Sequence, residues 1–134
     1  MKRTITTAFV LLVFVVAAEL CGSATTCVAN EKFKVKAVCG NVTDPTDVPI
    51  PKVDVELLDA QSVVLQRAVT NEEGRFIMST VPQGEYVLRV KSPYFAVAWQ
   101  PFVLTKTNVN ARCKKGMQVR LGLAGRCSSI AKPK

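Results

Sequence analysis

Four of the five cysteines, those beyond residue 24, and the absence of histidine set what chemistry this chain can do. Without histidine there is no Ser–His–Asp or Cys–His nucleophile system, no general base that titrates near neutrality and no His-containing metal site. Cys27, Cys39, Cys113 and Cys127 are too widely spaced for the close C-x2-C pairs of a zinc site. An even number of cysteines in a small exported domain is instead the arithmetic of two disulfides, with three pairings open. Asp54 and Glu56 share one face of a predicted strand. Paired carboxylates can cleave glycosides, but this pair reads more simply as the solvated side of that strand. Asp44, Asp47, Asn71, Glu72 and Glu73 carry oxygens suited to calcium without calcium-loop spacing, and turn formation accounts for them. The expectation is a protein with no catalytic residues, no metal and no cofactor.

Binding chemistry is concentrated in Tyr94, Phe95 and Trp99, in the run FAVAWQPFVL and the residue before it. Phe95 and Trp99 lie four apart, on one face of a regular pleat with Val97 between them. A face so apolar is expected in the core. If exposed, it would stack on sugar rings or anchor a protein partner, beside the basic Arg89 and Lys91. Asn41–Val42–Thr43 is an N-glycosylation sequon in a eukaryotic secretory pathway.

These residues are set in a chain of alternating short apolar runs. Met1–Lys2–Arg3 and the apolar stretch from Ala8 to Ala18, followed by small residues, have the layout of a secretory signal. Residues 1–24 are therefore expected to be removed after Ala24, with Cys21 among them. The alternative is an uncleaved anchor. A leader follows over 25–32, then a domain over 33–127, then a basic and mobile tail over 128–134. Beyond residue 24 there are sixteen Lys and Arg against nine Asp and Glu. That excess would attract anionic surfaces, though solubility explains it more simply.

The stretch TNEEGRFIMSTVPQGEYVLRV, from Thr70 to Val90, organises the domain. It reads as a turn ending in Gly74, a strand, a turn ending in Gly84, and a strand with Tyr86, Leu88 and Val90 on one face. Strands are also predicted over 33–42, 53–59, 63–69, 95–104 and 117–123. The first is bulged near Ala37–Val38, and Pro101 marks the sixth as an edge or broken strand. Seven strands, frequent turns and no helical period give an all-β, antiparallel-rich two-sheet sandwich.

Val38-x-Gly40-x-Val42-x-Asp44, Pro49–Ile50–Pro51–Lys52–Val53–Asp54–Val55, Thr70-x-x-x-Gly74-x-Phe76 and Val81–Pro82–Gln83–Gly84–Glu85–Tyr86–Val87 together resemble the carboxypeptidase regulatory-like domain, a transthyretin-like or prealbumin-like sandwich, in an exported stand-alone form. The resemblance spans roughly residues 35–104. It implies a fold whose first and last strands run parallel, side by side. On that arrangement it implies Cys27–Cys113 and Cys39–Cys127. Domains of this kind occur beside peptidases, in adhesins and alone, so it implies little about activity. Hydroxyisourate hydrolases of similar fold rely on histidines, which this chain lacks.

The functional expectation is a non-catalytic binding or structural module, secreted or periplasmic, with a protein or glycan partner at the cell surface. The alternatives are a carbohydrate-binding module or a secreted ligand or inhibitor. Nucleic acid is not expected as a partner. A membrane would be met only through an uncleaved signal or by charge attraction.

Overall fold

In a computed structural model, Cys27 and residues 31–108, 112–123 and 125–134 are described. The expected signal and its cleavage point lie outside these residues, as does most of the leader. The described residues form nine strands and no helix. The strands are β1 (Phe33–Val35), β2 (Val38–Thr43), β3 (Asp54–Leu58), β4 (Val64–Val69), β5 (Arg75–Met78), β6 (Gly84–Lys91), β7 (Ala98–Leu104), β8 (Met117–Arg120) and β9 (Ser129–Ala131). A five-stranded sheet has the order β1-β7-β6-β3-β4, and a four-stranded sheet has the order β5-β2-β8-β9. The inner faces enclose one apolar core, built from Val55, Leu57, Leu88 and Phe102 on one side and Val42, Phe76, Met78 and Val119 on the other.

The count differs from the expected seven at both ends of the chain. The bulge expected near Ala37–Val38 is a change of sheet. β1 pairs parallel with β7, and β2 pairs parallel with β8. Residues 128–134 are not simply a mobile tail, because Ser129–Ala131 pairs with β8 and buries Ile130 against the core. Pro101 lies inside the sheet, opposite Val87 of β6. Its missing N–H is tolerated because β1 pairs with β7 only from Phe102 onward.

The organising stretch changes sheet at both of its turns, since β4 and β6 lie in one sheet and β5 in the other. The Thr-x-x-x-Gly-x-Phe pattern is therefore an arch between sheets rather than a hairpin. The buried Thr70 hydroxyl donates to the Ile50 carbonyl at 2.7 Å and accepts from the Val53 N–H at 2.9 Å. Gly74 has φ +69°, and a Cβ there would stand 2.6 Å from the Val42 carbonyl oxygen. Phe76 then enters the core.

The disulfides are Cys27–Cys127 and Cys39–Cys113, not the pairing implied by the family resemblance. The split of the first strand explains the difference. Cys39 is near the start of β2 rather than late in one long strand. Because β2 and β8 are parallel, with Gly40 opposite Met117, Cys39 meets the residues leading into β8. Cys113 is among them. Gly40 allows the close approach: a Cβ there would stand 2.2 Å from the Met117 carbonyl oxygen.

Candidate functional site

The outer face of the five-stranded sheet carries the most organised group of polar and aromatic side chains. Strand register aligns Arg67, Glu56, Arg89 and Trp99 in one row across β4, β3, β6 and β7. Glu56 is 3% exposed. It is thus a buried carboxylate and not the solvated strand face expected. It is held by Arg89, whose Nε donates to Oε2 and whose Nη2 also pairs with that oxygen. Lys91 Nζ lies 3.1 Å and Arg67 Nε 3.5 Å from Oε1. The Arg89 hydrogen bond, followed by that of Lys91, holds the Glu56 carboxyl below its ordinary pKa against the opposing effect of burial.

Arg89 also places its guanidinium carbon 5.0 Å from the centre of the Trp99 ring, within the range of a cation–π contact. Beside the ring is a shallow depression of about 350 Å³ lined by Leu58, Ser62, Val87, Trp99 and Pro101. Leu65 and Val69 of β4 are 52% and 58% exposed, which extends the apolar character of this sheet toward its edge. The site is therefore an apolar shelf with a fixed tryptophan, bordered by three cations that share one carboxylate.

The three expected platform residues are not brought together. Trp99 is partly exposed and is not a core residue. In β7 the alternate residues Ala98, Gln100, Phe102 and Leu104 point inward, which turns Trp99, Pro101 and Val103 outward. The regular pleat begins only at Ala98. Phe95, in an isolated bridge with Leu123, instead packs against the core. Tyr94 is 88% exposed in the preceding loop, with φ +71°. Asn41 lies on β2, where its side-chain amide donates to Gln118 Oε1 at 2.9 Å.

Of the oxygen-bearing loop residues, Asp44 and Asn71 serve their own turns. Asp44 Oδ1 accepts from the N–H groups of Thr46 and Val48, Asn71 Oδ1 accepts from those of Glu73 and Arg75, and Asp47 pairs with Arg120. Sequence reading missed the role of Glu56. The available signal was the recurrence of basic residues at Arg67, Arg89 and Lys91, each aligned with β3 only once the register is known.

No curated protein matches the chain. Among solved structures it is similar to the 5-hydroxyisourate hydrolase of Klebsiella pneumoniae, with 19% identity and a TM-score of 0.51 over 73% of this chain and 99% of that one. A 3-chlorocatechol 1,2-dioxygenase of Rhodococcus opacus aligns with 10% identity and a TM-score of 0.37, over 78% of this chain and 60% of that one. The first likeness concerns the transthyretin-like fold alone. The model of the carboxypeptidase regulatory-like domain matches residues 37–117, which run from the start of β2 to the start of β8 and include both sheet-crossing turns. With that span matched and the sandwich in place, the chain belongs to the carboxypeptidase regulatory-like domain family.

Proposed function

We propose that this protein is a non-catalytic binding module, exported by a signal over residues 1–24, that holds a protein partner against the outer face of its five-stranded sheet. The observation that carries this reading is the placement of Trp99: it sits outside the core, steadied by Arg89, beside an apolar depression. A fixed aromatic next to an apolar pocket and an arginine is the composition of an interface anchor. The two disulfides belong to an oxidising, non-cytoplasmic location, and no described helix is long and apolar enough to cross a membrane. The lack of histidine supports a role without catalysis. Carbohydrate binding is the second reading, also motivated by the outward Trp99. Protein is favoured because Arg89 stacks on the Trp99 ring, while Tyr94 and Phe95 are directed elsewhere.

The test is capture of partners by the oxidised protein from extracellular or envelope material of its own source, either untreated, protease-treated or glycosidase-treated. Capture lost after protease and weakened at least about tenfold by Trp99→Ala is expected, the loss of one anchor of ~1.4 kcal/mol or more. Capture lost only after glycosidase and dependent on Trp99 replaces the protein reading with the carbohydrate one. Capture indifferent to Trp99→Ala refutes the site.

A further inference from the structure

We infer that the clefts around the Cys39–Cys113 disulfide form a second binding site, distinct from Trp99, for a linear anionic polysaccharide bearing carboxylate or sulfate groups. One cleft, of about 570 Å³, is lined by Lys36, Lys106, Arg112, Lys114 and Lys115. The adjoining cleft, of about 540 Å³, shares Lys114 and Lys115 and adds Arg75 and Lys134. Among the described residues, no Asp or Glu side chain lines either cleft. All seven cations are exposed, and none enters an ion pair among the described residues.

These seven account for the charge of the domain. Beyond residue 24 the remaining nine Lys and Arg equal the nine Asp and Glu in number. The basic excess is therefore gathered in one place rather than spread for solubility, and concave walls of one sign concentrate its field. The Cys39–Cys113 bridge ties the segment bearing Arg112, Lys114 and Lys115 to β2, which limits the ordering cost of binding.

The lining selects among polyanions. Asn41, Asn71, Gln118 and Thr107 supply amide and hydroxyl groups between the cations, suited to a chain rich in hydroxyls. The aromatic residue in the lining, Phe76, is buried in the core. No ring is therefore offered for stacking nucleic-acid bases. Ile77 is the exposed large hydrophobic among the lining residues, whereas a membrane-inserting surface presents an apolar face.

The test measures binding of the oxidised protein to heparin, with neutral dextran and vesicles of phosphatidylglycerol as comparisons. Wild type is expected to bind heparin at about 0.1 M salt, to release it as salt screens the charges, and to ignore dextran. The triple variant Lys106→Glu/Lys114→Glu/Lys115→Glu should bind on the order of 100-fold more weakly, at about fivefold for each surface charge. A control with the same net charge, Lys52→Glu/Arg126→Glu/Lys132→Glu, should retain binding within about threefold on the same reasoning, and Trp99→Ala should leave it unchanged. Thermal melts confirm that each variant is folded, and a triple Lys→Gln set at 106, 114 and 115 replaces a reversal variant that is not. Absence of heparin binding, equal loss in the control, or tighter binding to the vesicles would overturn the inference.

Discussion

Replacing Glu56 by Gln should destabilise the protein by about 2–3 kcal/mol at neutral pH, because of what surrounds the carboxylate. The carboxylate is 3% exposed and accepts from Arg89, whose side chain is 22% exposed. A hydrogen bond to a charged group contributes about 1.5–3 kcal/mol. Lys91 and Arg67, at 42% and 73% exposure, behave as surface partners that contribute about 0–1 kcal/mol each. Glutamine keeps the shape and one acceptor, so part of the Arg89 bond survives, but three cations then crowd a site with no compensating charge. For a domain of this size the loss corresponds to a fall in Tm of about 10 °C.

The pH dependence gives a sharper check. Arg89, chiefly, holds the Glu56 pKa low in the folded protein. Its stabilisation is therefore complete above the unfolded carboxyl pKa and is lost as pH falls through the lower, folded value. Urea melts of wild type and Glu56→Gln, with disulfides intact, should converge between about pH 5 and pH 2. Asp44, also held low by its Thr46 and Val48 hydrogen bonds, is common to both proteins and cancels in the difference. A gap under about 1 kcal/mol at pH 7, typical of an exposed pair, or a gap that persists unchanged into acid, would refute the account. Trp99 is the sole tryptophan, so release of Arg89 should also change its emission.

Further outcomes test the frame behind the site. A non-reducing peptide map should join the Cys27 peptide to that of Cys127 and the Cys39 peptide to that of Cys113; replacing either pair with serine should cost about 2–4 kcal/mol in chemical denaturation, given loops of 100 and 74 residues. Gly40→Ala should cost about 3 kcal/mol by driving a methyl into the Met117 backbone, whereas Gly84→Ala, whose Cβ would meet Tyr86 at an ordinary 3.5 Å, should change the urea midpoint by less than the equivalent of about 1 kcal/mol.

The alternation of apolar residues was enough to locate β3, β4, β5 and β6 within a residue or so, and the start of β8, which ends three residues sooner than expected, because a strand buried on one face must repeat every second residue. Thr70, Gly74 and Phe76 announced a turn for the same local reason: a φ of +69° favours glycine. The even cysteine count likewise pointed to two bridges. Partner choice was not local. Whether Phe33–Val42 is one bulged strand or two strands in different sheets depends on what β7 and β8 offer alongside, and that decided which cysteines meet. Trp99 and Phe95 are four apart in a run without local marks of inside and outside, and only the pairing of β6 with β7 from Ala98 onward turned Trp99 to solvent. Glu56 looked like a surface acid until the register set Arg67 and Arg89 on either side of it. The sequence thus determined the central strands, the turns and the stapled all-β class, since these follow from short-range sterics and burial period. Tertiary structure alone decided the disulfide pairing, the buried charge cluster and the gathering of seven cations, because each joins residues that are distant along the chain and meet only when two sheets pack.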